Sequence, residues 1–463
     1  MKAAPGLARL ALWATLFAAP INARSYEGEP TAPPAGFENK SPLAPADLAL
    51  KKQGLYPTGL PLVNSNPDTG IGYGVRAYLF NNGPKSHPHF DYTQYRFRLY
   101  GQYFQTTKGW RYHTLDFDAP YLFDSPYRLR AALVYERNSA AHYYGTGSAS
   151  MRRLQRTGQP SFAKLDPYEK GNSTIQGGLV TFSKYNQYDL LQPAAQVSLE
   201  RDLFGGVVRP MLGARFSKVT IGDYTAKRVY ALTPGGRATT ALEGPTRLSE
   251  DTAAGRITGY GGGWNNYLKF GVAYDTRDFE PDPNRGVFAD LVFEPSGVWT
   301  GSDYTYLRRT ATVRGYFSPF TAWADFVLAG RLAYNVHTGR TPFFAVNNFA
   351  FSDVEQTGLG GKRTLRGFVS DRFTGPVAAL TNVEARWTMG SVNGGGQHFA
   401  FLLVPFVDGG RVFDRVRDTS LKDWRFSGGA GLRIAWNQAT LIMIDYGRSP
   451  EGGGLYIDFN HIF

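Results

Sequence analysis

The 463-residue chain has no cysteine, so no disulfide framework holds it together and hydrogen bonding must close the fold. It also lacks long apolar runs. Beyond residue 23 no stretch approaches the roughly 20 residues that a spanning helix needs, and the mean hydropathy is -0.31, which excludes a helical membrane protein. Acidic residues are outnumbered, 38 against 50 basic ones, for a formal charge of +12. The basic residues are scattered, which argues against nucleic acid and for an anionic lipid surface as partner. Histidine is scarce at seven, and no G-x-S-x-G occurs, so neither an enzyme nor a cofactor is expected. The one close pair, His87 and His89 around Pro88, falls in a turn, where two imidazoles without further ligands make no metal site.

Strand formers and turn formers are both plentiful: Tyr 28, Phe 32 and Gly 54. That balance suits an all-β protein. The N-terminus reads as a leader: Lys2 and Arg9 precede the apolar "LALWATLFAAPI", and small residues end at Ala23. Residues 1–23 are therefore expected to be a secretory signal peptide. Residues 24–57, rich in Pro and Ala, carry no periodicity and read as a mostly unstructured periplasmic extension.

From 58 to 463 the pattern is period two. In "GVFADLVFE" Val287, Ala289, Leu291 and Phe293 oppose Asp290 and Glu294, and in "FSGGAGLRIAW" Phe426, Ala430, Leu432, Ile434 and Trp436 oppose Ser427 and Arg433. A soluble sandwich also alternates. The signal peptide, the aromatics at strand ends and a polar face that keeps its charge strand after strand favour a transmembrane antiparallel β-barrel. Sixteen strands are expected, near 59–65, 71–80, 94–105, 110–119, 127–137, 194–202, 210–222, 265–276, 286–296, 304–316, 321–335, 376–388, 399–412, 425–437, 439–448 and 454–463. Long connections at 138–193, 223–264, 336–375 and 413–424 all follow odd-numbered strands, as extracellular loops should when both ends of the barrel are periplasmic. The last strand, "LYIDFNHIF", alternates to a terminal aromatic, and outer-membrane barrels typically end so; Phe459 and Phe463 are read as its C-terminal assembly signal, recognised by the assembly machinery.

In the long loop before the fifth strand from the end stands "GLGGKRTLRGF". This stretch resembles the loop-six signature of the BamA/TamA superfamily of outer-membrane assembly and secretion barrels, whose core is Arg-Gly-aromatic, here Arg366, Gly367 and Phe368. The resemblance covers about the last two hundred residues: "YDTRDFEPDPNRGVF" is similar to that family's inner turn, "VEARW" to its twelfth strand and "FVDGGRVF" to its thirteenth. It implies a loop six folded into the lumen, with the arginine meeting acidic residues on the inner wall. Period two turns Glu384 and Asp408 toward that lumen. A guanidinium there needs bidentate acceptors, so Arg366 is expected between Glu384 and Asp408, with Gly367 allowing close approach and Phe368 packing on the wall. The alternative is that the triplet only plugs the lumen.

Relatives that assemble or secrete proteins usually carry POTRA modules, and residues 24–57 are too few for one, so the chain resembles the short, POTRA-less surface antigen branch. The implied role is outer-membrane biogenesis by insertion or translocation of proteins or lipids through the seam between first and last strands, which glycines in "SGGAG" and "EGGG" would loosen. The other reading is a plugged transport pore or passive surface protein. Its features are the long loops, where Arg152, Arg153, Arg156 and Lys164 either meet lipid phosphates or form a solvated face. Expected partners are outer-membrane lipids and lipopolysaccharide, the assembly machinery, and an unfolded protein or lipid substrate.

Overall fold

A computed structural model describes residues 42–43, 45–172, 175–176, 179–280, 282–320, 325–346, 348–350, 355–394, 397–436, 440–459 and 461–463. The expected signal peptide and the segment 24–41 lie outside the described residues. Sixteen antiparallel strands form the wall: β1 Leu55–Asn66, β2 Gly70–Asn81, β3 Phe97–Thr106, β4 Trp110–Ala119, β5 Tyr127–His142, β6 Gln187–Arg201, β7 Val208–Asp223, β8 Tyr267–Asp275, β9 Gly286–Ser296, β10 Tyr306–Phe317, β11 Phe326–Gly339, β12 Val377–Gly394, β13 Gln397–Phe413, β14 Arg425–Trp436, β15 Thr440–Arg448 and β16 Gly453–Phe459. Each pairs with the next, and β1 returns to β16, closing the sheet into a barrel.

The side-chain alternation is inside out. Leu133, Leu332 and Val407 stand 58%, 56% and 54% exposed on outward faces, while Arg308, Arg331, Arg366, Arg372, Arg386 and Arg433 are among the largest fully buried side chains. Such a distribution is stable only where the outer solvent is hydrocarbon. The backbone of a barrel satisfies itself strand to strand, which is why strands can cross a bilayer without any long apolar run.

Closure is uneven. All seven residues of β16 register with β15, and β1 registers with β2 along its whole length. Among the described residues, the single registered pair between β1 and β16 is Ser65 with Ile457. Pro57 and Pro61 remove two backbone donors from β1, a composition found on strand edges.

Three elements depart from expectation. The extension is not wholly irregular: Pro45–Leu50 is a short helix and β1 starts at Leu55. The Leu43 N–H donates to the Asp91 carbonyl at 2.8 Å and the Gly54 N–H to the Gly83 carbonyl at 2.8 Å, so residues 42–43 and 45–54 dock on the inner link between β2 and β3. The last strand stops at Phe459; His461 and Ile462 are buried, and Phe463 packs by Tyr316, Val327 and Ala329. The long outer connections also fold, into a cap with helices Leu165–Asn172, Arg247–Ala253 and Phe343–Val346. Tyr143, Tyr188, Leu248, Phe343 and Phe344 share one buried apolar cluster there. Thr146 through Ser150 carry too little periodicity to announce such a cap, because its core is assembled from four separate loops and strand ends.

Candidate functional site

Loop six joins β11 to β12, and its residues 358–373 pack on the inner side of β12, β13, β15 and β16. Arg366 is wholly buried. Its Nε and Nη2 donate to the two oxygens of Asp408, both at 2.8 Å, and its backbone N–H adds a third bond to that carboxylate at 3.1 Å. Nη1 donates to Glu384 at 2.9 Å and to Asp445 at 2.7 Å. The guanidinium lies 3.3 Å from the centre of the Phe406 ring. Glu384, Asp408 and Asp445 come from β12, β13 and β15, where period two turns each inward, and all three are buried completely.

Those carboxylates serve further cations. Arg386 Nε donates to Glu384 at 3.0 Å. Arg433 Nη2 donates to Asp445 at 3.1 Å and lies 3.6 Å from Glu384. Asn382 links the set to the loop backbone, donating to Asp408 and to the Thr364 carbonyl at 2.7 Å each, while Arg331 donates to Asn382 at 2.9 Å and to the Arg363 carbonyl at 2.7 Å. Three acids therefore meet three arginines, Arg366, Arg386 and Arg433, in a fully buried cluster, where removing one partner leaves an uncompensated charge.

Two glycines let loop and wall touch. Gly367 has φ +97°, and a Cβ there would lie 2.8 Å from the Arg448 backbone; a Cβ on Gly447 of β15 would lie 2.7 Å from the Arg366 carbonyl carbon. The Gly367 N–H donates to the Tyr456 hydroxyl at 2.9 Å. Phe368 stacks edge-on against Phe373 at 5.1 Å and shares a cluster with Leu359, Leu365, Ala333, Leu380 and Val412. The glycines of "SGGAG" have a different place from the one expected. They lie in β14, fully registered on both sides and away from the seam, and a Cβ on Gly431 would overlap Asp445 and Arg433. Gly431 makes room for the charge cluster.

Loop six also bridges the seam from within. On the β1 side, the Ser370 N–H donates to Asp68, in the β1–β2 turn, at 2.8 Å. On the β16 side, Lys362 pairs with Asp458 at 2.6 Å, and Arg372 donates from Nε and Nη2 to Glu451, just before β16, at 2.7 and 2.8 Å. Sequence reasoning named Arg366, Glu384 and Asp408 but missed Asp445 and this bridge. Asp445 had a signal: a lone acid on the inward parity of "LIMIDYGR".

The Omp85 superfamily domain matches residues 96–452. The chain belongs to the Omp85 superfamily. A second family, described as a domain of unknown function (DUF5982), matches residues 34–96, the stretch that contains the docked helix, the first hairpin and the inner link. No curated protein matches the chain. Among solved structures it is similar to CdiB from Escherichia coli, at 10% identity over 88% of this chain and 62% of that one, TM-score 0.51. It is also similar to BamA from Haemophilus ducreyi lacking POTRA domains 1–3, at 12% identity over 89% and 70%, TM-score 0.49. The chain thus spans less than two thirds of the CdiB chain, and at these identities the likeness concerns the fold. As an Omp85 barrel the protein resides in the bacterial outer membrane.

At the opposite, inner mouth, His87 and His89 meet Asp124 of the β4–β5 link, with His87 Nε2 3.1 Å from Asp124. Arg96 also pairs with Asp124, and the His89 N–H donates to His87 Nδ1 at 3.2 Å. Phe459, at the end of β16, has the Arg76 guanidinium 5.9 Å from its ring, and Phe463 has those of Arg331 and Arg386 at 4.9 and 5.3 Å.

Proposed function

We propose that this Omp85 barrel aids outer-membrane biogenesis, without catalysis, by opening between β1 and β16 to insert or translocate protein or lipid. The observation that carries the reading is the seam: among the described residues one registered pair, Ser65 with Ile457, braced from inside by loop six through Asp68 on one side and Asp458 on the other. A strand edge with unpaired backbone groups is a template for an incoming strand, and a barrel exposes such an edge only at a weak join. In this account Arg366, Gly367 and Phe368 fix loop six against Glu384 and Asp408, and loop six in turn sets the state of the seam. The likeness to CdiB from Escherichia coli supports the barrel fold of this reading and not a substrate.

The test uses the absence of native cysteine. Antiparallel register partners lie about 4.5–5.5 Å apart at Cα, within disulfide range, so Ser65→Cys with Ile457→Cys gives a reversible lock. Purified protein in liposomes is challenged with an unfolded outer-membrane protein, and in parallel with a fluorescent lipid. Wild type should speed folding or lipid transfer over empty liposomes; the oxidised lock should abolish the gain and reductant restore it. Equal rates for the oxidised lock and wild type would sink the seam mechanism, and no gain by wild type would sink the biogenesis role.

A further inference from the structure

Under the outer cap lies a cavity of about 80 Å³, several times the 10–15 Å³ that one water requires. Arg152, Arg153, Arg247 and Arg372 line it, with the phenols of Tyr144 and Tyr168, and none of its lining residues is acidic. The position is set by three separate outer segments: Tyr144 and Arg152 follow β5, Arg247 opens the cap helix Arg247–Ala253, and Arg372 belongs to loop six.

The charges there are only half matched. Arg372 is committed: besides Glu451, it donates to the carbonyls of Ser150 at 2.5 Å and Arg152 at 2.7 Å. Arg247 Nε donates to Asp251 at 3.2 Å, its side chain also hydrogen-bonds Tyr185, and its Nη2 lies beside Gly145. Arg152 and Arg153 are exposed, and among the described residues no carboxylate pairs with either. Two guanidinium charges are thus left over beside two that are already oriented. A phosphate group carries about −1.5 to −2 charge near neutral pH and has acceptor oxygens that match the guanidinium fork.

We propose that this cavity is an outer-face binding site for a phosphate ester, held by Arg152 and Arg153 and oriented by Arg247 and Arg372. A ligand there joins the loop after β5, the cap helix and loop six, so occupancy latches the cap. The same chemistry is offered by a free phosphate ester and by the phosphorylated headgroup of an outer-leaflet lipid.

Inorganic phosphate is the first probe, titrated calorimetrically into the full detergent-solubilised chain at constant ionic strength. Arg152→Gln with Arg153→Gln, both surface positions, should weaken binding at least tenfold, whereas the Arg152→Lys, Arg153→Lys pair should keep part of it. In wild type, phosphate should also protect Arg152 and Arg153 from phenylglyoxal, read by mass spectrometry, which needs no variant to fold. Vesicles of phosphatidylcholine with and without phosphorylated lipid A separate the sources: loss of phosphate binding in lipid A vesicles assigns the headgroup, retention assigns a free ester. Equal phosphate affinity in wild type and the glutamine pair, or no protection of either arginine, would overturn the proposal.

Discussion

Arg366 shows how one residue organises a polar interior. Its guanidinium makes four hydrogen bonds, divided among Asp408, Glu384 and Asp445, a division that a planar fork allows and an ammonium does not. Arg366→Lys should therefore lower stability by about 3–5 kcal/mol, the cost of leaving a buried carboxylate short of its partner, measured as the urea dependence of the heat-modifiable band in detergent; a loss under about 1 kcal/mol would show that the clamp contributes little. Gly447→Ala separates sterics from charge. It keeps every ion but places a methyl against the loop backbone, and should free loop six to protease while the barrel stays folded. Period two was enough to turn Glu384 and Asp408 inward from sequence, and it turned Asp445 inward too. The need for glycine at 447 was not readable from β15, because the surface that fills that space comes from residues 366 and 367.

At the scale of elements, the N-terminal segment illustrates order created by docking. A six-residue helix has no stability of its own, and Pro45–Leu50 persists against the β2–β3 link through Lys51. The Lys51 amine is buried, donates to the carbonyls of Phe90 and of Thr93, the latter at 2.6 Å, and lies 4.2 Å from the Phe90 ring centre. Burial lowers its pKa to about 8 from 10.5, with Asp91 opposing the shift. A lysine whose folded pKa is depressed binds fewer protons when docked, so docking strengthens as pH rises from about 8 toward 10.5, by at most about tenfold per pH unit. The protection factors of the Leu43 and Gly54 amides, corrected for intrinsic exchange, should rise over that window in wild type and stay flat in Lys51→Met. A flat wild-type profile would mean that the amine stays charged when docked. The Pro- and Ala-rich composition held no sign of the carbonyls waiting for Lys51.

For the whole molecule, the cap and loop six decide what the barrel can pass. Arg372 ties the loop after β5, through the Ser150 and Arg152 carbonyls, to Glu451 before β16, so the outer mouth and the seam are held by one side chain. Wild-type barrels in planar bilayers should conduct little. Glu451→Ala should raise conductance and favour anions, since Arg372 then loses its carboxylate partner beside the outer mouth. High wild-type conductance would instead support a transport pore.

The sequence by itself determined the barrel, its sixteen strands and the inward parity of Glu384 and Asp408. Those properties follow from a local rule: side chains alternate along a strand, and one face must suit lipid while the other suits a polar interior. Only the tertiary structure decided that Asp445 completes the clamp, that the last residues leave the wall at Phe459, that the outer loops build a roof, and that loop six spans a seam with one registered pair. Each of these depends on which distant segments compete for the same space and the same charge, and that competition is fixed when the sheet closes.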